Sequence, residues 1–182
     1  AVVHGSSYDM QKNTMSKSYR ALKPRYLANR RLGLKPGDPK PLPRIVTRRP
    51  KRGDIHPLDP SILRGALRLE VPVEYLYGLK GIELREREGN RVGQPYGLYR
   101  PGEKSIVLYS LPMEWEWPSA ADPVKSKLRA FGAAVNCDNE KVTVRWGSRV
   151  QLAVWFFVDV IAHELGHHYR NQYKSSIGGP GS

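Results

Sequence analysis

The sequence predicts an α+β fold: a small, mostly antiparallel sheet of three to four strands, packed on a long C-terminal helix, with an extended basic arm on the N-terminal side. Three observations carry this expectation. Around residue 82 the chain alternates, with Ile82 and Leu84 against Glu83 and Arg85, which is the period of a half-buried strand. From about Arg149 to Tyr173, apolar residues instead recur at spacings of three and four, the period of a helix face. Residues 1–57 show neither period and combine seven prolines with dense positive charge.

The arm accounts for most of the charge. The 182-residue chain has a formal net charge of +13 and a pI of about 10.0. Residues 1–57 hold 14 Lys/Arg against 3 Asp/Glu, whereas residues 58–182 hold 16 against 14. A basic arm (1–57) attached to a nearly neutral body (58–182) points to a polyanionic partner, nucleic acid or an acidic assembly. The cations expected to meet phosphates are Lys17, Arg20, Lys23, Arg25, Arg30, Arg31, Arg48, Arg49, Lys51 and Arg52, with Tyr19 and Tyr26 among them able to stack on bases. A solvated basic linker is the plain alternative. The prolines exclude a long helix or a central strand over most of the arm, leaving room for one short helix at about 16–34.

Composition narrows the classes further. One cysteine, Cys137, excludes an internal disulfide framework and fits a reducing, intracellular setting, here taken as the cytoplasm. No apolar run reaches membrane-spanning length; the longest, "LAVWFFV" at 152–158, ends at Asp159. No membrane partner is therefore expected.

The body follows in order. Asp59 with Pro60 behind it signals a helix start. "PVEYLYGLKG" reads as a second short helix closed by Gly78 or Gly81, and "GIELRERE" as a strand. "YGLYRPGEKSIVLYSLP" reads as two strands, about 96–100 and 104–110, joined at Pro101-Gly102. Trp115 and Trp117, with Glu114 and Glu116, read as lying alternately inside and outside a strand edge, with a substrate or partner rim as the alternative. A helix near Asp122–Phe131 and a strand at 140–146 come next. Ser148 has the character of an N-cap for the long helix. The stripe Val150, Val154, Val158, Ile161 and Leu165, widened by Trp155, Phe156, Phe157, Val160 and Ala162, makes that helix apolar nearly all round and predicts central burial.

Within it lies "AHELGHH". His163 and His167 are four residues apart on one helix face, so their imidazoles can share a metal ion. Glu164, one position on, is placed to take a proton from an attacking water and pass it to a leaving amine. Asp159, one turn earlier, suits the orienting of an imidazole. Gly166 is expected to leave room for a close neighbour. His168 is expected to face solvent or mark the helix end, and Tyr169 and Tyr173 to serve packing.

This helix resembles the active-site helix of zincin metallopeptidases, in look nearest to the ImmA/IrrE-like group and its gluzincin relatives. The segment 96–112 resembles that group's glycine-aromatic strand, turn and I-x-L strand. The resemblance implies a zincin-like domain over roughly residues 70–174. It implies Zn2+ held by His163 and His167, and Glu164 as the base that hydrolyses a peptide or protein substrate. It also implies that the I-x-L strand is the sheet edge along which that substrate pairs. The pattern then breaks: from Tyr169 onward the chain has no Asp, Glu, His or Cys, and Arg170 and Tyr173 stand where a longer histidine motif needs Gly and His. Three alternatives stay open. The third ligand lies beyond this sequence; it comes from an upstream residue such as Asp159 or His56, or from a partner chain; or hydrolysis has been lost. The last gives the rival function, an inactive zincin-like scaffold that binds RNA or DNA through its basic arm within a larger assembly.

Overall fold

The computed structural model describes residues 40–87, 95–118, 122–138 and 141–174. The chain divides into two compact units, Ala1–Lys40 and Pro41–Ser182, and the architecture below belongs to the second. The helix expected at 16–34 lies outside the described residues.

The second unit contains two small sheets and a C-terminal helix, an α+β arrangement. The first sheet has the spatial order β1-β2-β4-β3, formed by β1 (Arg44–Thr47), β2 (Gly81–Arg85), β3 (Gly97–Arg100) and β4 (Ser105–Tyr109). Strands β1, β2 and β4 run parallel and β3 runs antiparallel to β4. The sheet is therefore mixed, where a mostly antiparallel one was expected. Side-chain alternation reports a half-buried strand but not its direction. Direction follows from the connections, and the β1–β2 crossover carries α1 (Pro60–Glu70) and α2 (Val73–Leu76), as a parallel pair requires.

Strand β1 lies within the segment read as arm. "RIVT" sits between Pro43 and Pro50, and its β-branched Ile45, Val46 and Thr47 suit an extended conformation. It is anchored by Arg44 N–H to Lys80 O at 3.1 Å and Arg48 N–H to Leu84 O at 2.8 Å. An outer strand tolerates flanking prolines because one of its edges needs no donors. The folded unit thus begins at Pro41, ahead of the expected start near Leu58.

The I-x-L strand, expected at the sheet edge, is interior: β4 lies between β2 and β3, and the edges are β1 and β3.

The second sheet is antiparallel, in the order β5-β7-β6, from β5 (Glu114–Pro118), β6 (Ala133–Cys137) and β7 (Lys141–Trp146), with α3 (Asp122–Ala130) between β5 and β6. β6, "AAVNC", has little strand propensity. It forms by pairing with the edge of β7, and Gly132, at φ +91°, lets the chain turn from α3 into it.

The C-terminal helix starts where expected: Ser148 Oγ accepts from Gln151 N–H at 3.2 Å. It comprises α4 (Arg149–Trp155), a π-helical segment (Phe156–Ile161) and α5 (Ala162–Lys174). The π segment breaks the expected stripe. Its wider turns rotate α5 about the helix axis relative to α4, so an α-periodic row does not stay on one face. Val150, Val154 and Val158 are 71%, 48% and 53% exposed, whereas Ile161 and Leu165 are buried. The buried face of the first half is Leu152, Trp155 and Phe156. The helix is therefore buried on one side only. Its buried side joins a core that includes Leu63, Leu67, Ile82, Leu84, Ile106 and Leu108.

Candidate metal and base site

His163 and His167 stand on the solvent side of α5, just after the π segment. Their Nε2 atoms are 3.0 Å apart, and the rings are nearly perpendicular with centroids at 4.6 Å. Two nitrogens bound tetrahedrally at ordinary zinc distances would sit about 3.3 Å apart. The pair therefore fits two corners of a zinc site with little movement. Among the described residues no group of three His, Cys, Asp or Glu side chains converges, and the third corner has no candidate there. His56 is buried, with Nε2 donating to Arg48 O at 2.7 Å. Asp159 Oδ2 accepts from Trp155 Nε1 at 3.2 Å and Oδ1 pairs with Lys127 on α3, so both oxygens of the residue read as an imidazole orienter have partners of their own.

Glu164, beside the pair on the helix, reaches the sheet. It is buried, and its Oε2 accepts the Tyr99 N–H at 2.7 Å. The register explains why this donor is free. Tyr109 N–H donates to Tyr96 O, and in an antiparallel ladder alternate residues bond inward. Residues 96, 98 and 100 therefore face β4, while the backbone groups of Gly97 and Tyr99 face outward, toward α5. Gly97 is what lets the helix approach: a Cβ there would lie 2.9 Å from Glu164 Cγ and 2.9 Å from Val160 Cγ1. At Gly166, the glycine expected to admit a close neighbour, a Cβ would meet nothing within 4 Å. It looks onto open space beside the histidines.

His168 overturns its expected exposure. It is fully buried, with Nε2 2.9 Å from Tyr77 O and Nδ1 3.2 Å from Tyr99 Oη. Burial holds its pKa below the ordinary imidazole value. The bond to the Tyr77 carbonyl opposes this in part, and the Lys104 charge adds to it. Asn171 Nδ2 also donates to Tyr99 Oη, at 3.3 Å. The other tyrosine of the helix that the structure describes in full, Tyr169, stacks on Tyr75 at 4.6 Å, a packing role as expected. The side chain of Tyr173 lies outside the described residues. Trp115 is buried in an aromatic cluster with Trp146 and Trp155, and Glu114 and Glu116 point outward as expected.

Reasoning from sequence missed Tyr99, His168 and Asn171. The signal for Tyr99 was present in "YGLY", where Gly97 and Tyr99 share a face two residues apart, but nothing local says that this face meets the motif helix.

Of the expected phosphate contacts, Lys17, Arg20, Lys23, Arg25, Arg30 and Arg31 lie outside the described residues. Arg48 is engaged with Glu83, Nε to Oε1 at 2.7 Å. Burial raises the Glu83 pKa, but its bonds to Arg85 and Arg48 outweigh that and hold it below the ordinary carboxylate value. Arg49, Lys51 and Arg52 follow β1 on the surface, all exposed. Among the described residues no helix is long and apolar enough to cross a membrane. No family model, curated protein or solved structure matches this chain.

Proposed function

We propose that this chain is a zincin-type metallopeptidase-like protein that hydrolyses a peptide bond. The observation that carries the proposal is one juxtaposition. Two exposed imidazoles sit 3.0 Å apart, with the carboxylate of the intervening HExxH glutamate bonded to the outward edge of β3. His163 and His167 hold the metal, with a third ligand still to be supplied. When bound, zinc supplies a Lewis acid and brings the pKa of a coordinated water toward 7. Glu164 takes the proton of the attacking water and delivers it to the leaving amine. The outward backbone groups of β3 that Glu164 leaves open, those of Gly97 and the Tyr99 carbonyl, offer an edge against which an extended peptide aligns. Metal analysis of the purified full chain and proteolysis of casein test the reading. The expected result is bound zinc and hydrolysis that Glu164→Gln abolishes. Absence of zinc, or unchanged hydrolysis in Glu164→Gln, refutes it.

A second reading, an inactive scaffold that binds nucleic acid, is favoured by the exposed run Arg49, Lys51 and Arg52. Each cation that neutralises a phosphate contributes about −0.7 to −0.9 to the slope of log affinity against log salt. Replacing the three by Ala should flatten that slope by roughly two units on RNA or DNA. An unchanged slope removes these residues from the interface.

A further inference from the structure

His163 and His167 face solvent, but the next histidine does not. His168 is 0% exposed and bridges two elements, with the Tyr77 carbonyl 2.9 Å from Nε2 and the Tyr99 hydroxyl 3.2 Å from Nδ1. A carbonyl can only accept, so Nε2 carries a proton, and in the neutral imidazole Nδ1 is then the acceptor. The Tyr99 hydroxyl must then donate to Nδ1, and its lone pair takes Asn171 Nδ2–H at 3.3 Å. Tyr99 is thereby held at both ends: its ring by His168 and Asn171, and its amide by Glu164 Oε2 at 2.7 Å. That amide is the one protein donor to Glu164 among the described residues. A glutamate has three rotatable bonds, so what fixes the amide fixes the carboxylate.

We propose that His168 is a positioning residue for Glu164, acting through Tyr99. Its two bonds lock the tyrosine ring, the ring sets the outward N–H of β3, and that N–H holds Oε2 while Oε1 remains for proton transfer. The role needs a neutral group that donates to a carbonyl and accepts from a hydroxyl at once. Imidazole does this, a glutamine amide can do it, and phenylalanine cannot. The inference rests on the reading of Glu164 as the base, and its test separates the two.

The test compares His168→Phe, His168→Gln and Tyr99→Phe with the parent full-length chain by amide hydrogen exchange and by casein hydrolysis. Leu98 and Arg100 are internal controls, because their N–H groups point to β4. In His168→Phe and Tyr99→Phe, exchange at Tyr99 should quicken about tenfold relative to both controls, the factor set by losing one hydrogen bond of ordinary strength. His168→Gln should restore it. In the same variants kcat should fall with KM retained, again rescued by His168→Gln. A merely structural role would raise exchange across the whole strand. Exchange rising equally at residues 98–100, or at none, overturns the proposal. If His168→Phe does not fold, Tyr99→Phe, which deletes only a hydroxyl, decides alone. A selective Tyr99 response in a chain that hydrolyses nothing would uphold the positioning and overturn Glu164 as a base.

Discussion

Two glycines at the site should respond to the same substitution with opposite signs. A Cβ at Gly97 would lie 2.9 Å from Glu164 Cγ, 2.9 Å from Val160 Cγ1 and 3.4 Å from Leu108 Cδ2. Carbon atoms settle at about 3.5–4.0 Å, so two of these contacts overlap by at least about 0.6 Å. Neither neighbour yields easily. Val160 is β-branched and stiff within a helix, and Glu164 is tied to Tyr99 N–H. Overpacking of this kind costs roughly 1–3 kcal/mol, offset by ~0.4–1 kcal/mol from restricting the unfolded chain. Gly97→Ala should therefore destabilise by about 1–2 kcal/mol, a fall in Tm of roughly 2–8 °C for a chain of this size. Gly166 lies inside α5 and a Cβ there meets nothing within 4 Å. Gly166→Ala should stabilise by about 0.8–1 kcal/mol, the full helix-propensity difference. Urea unfolding of both variants, fitted with a common slope, measures the two shifts. A Gly97→Ala protein as stable as the parent would refute the close approach of β3 to the helix. A destabilised Gly166→Ala would refute the open space beside the histidines.

Other outcomes rest on packing and charge elsewhere in the fold. Trp155, 2% exposed and packed against Trp146 at 5.4 Å and Tyr96 at 5.3 Å, should cost about 3–5 kcal/mol when replaced by Ala; a loss in urea unfolding below ~1 kcal/mol would contradict this packing. Val154→Lys should change stability by no more than about 0.5 kcal/mol, because that side chain is 48% exposed; a large loss in thermal unfolding would restore the all-round burial that the sequence suggests. Glu83 has a folded pKa below its ordinary value of 4.5, so its stabilisation is present above that pH and lost as pH falls through the folded pKa. In Glu83→Gln the acid side of the stability–pH curve should flatten by less than ~1 kcal/mol, since Arg48 is largely exposed; an identical acid limb would remove Glu83 from the acid response.

What the sequence determined by itself was local. The period of two at 82–85, the Pro-Gly turn at 101–102, the Asp59-Pro60 and Ser148 helix starts and the four-residue spacing of His163 and His167 all depend on neighbours a few positions away, and all are visible in the chain. Tertiary structure alone decided what depends on distant partners. Strand direction came from the α1–α2 crossover, and β1 and β6 exist because β2 and β7 offer them an edge. The valine stripe turned outward because a π segment interrupts the α period on which it was read. The same holds at the site. "HELGHH" names six residues, but only the fold separates two exposed imidazoles from a third histidine buried against Tyr77 and Tyr99. Only the fold brings the amide of Tyr99, sixty-five positions earlier, onto Glu164. Spacing along a helix sets which side chains share a face. What that face meets is settled by packing between segments far apart in the chain, and a one-dimensional pattern does not contain it.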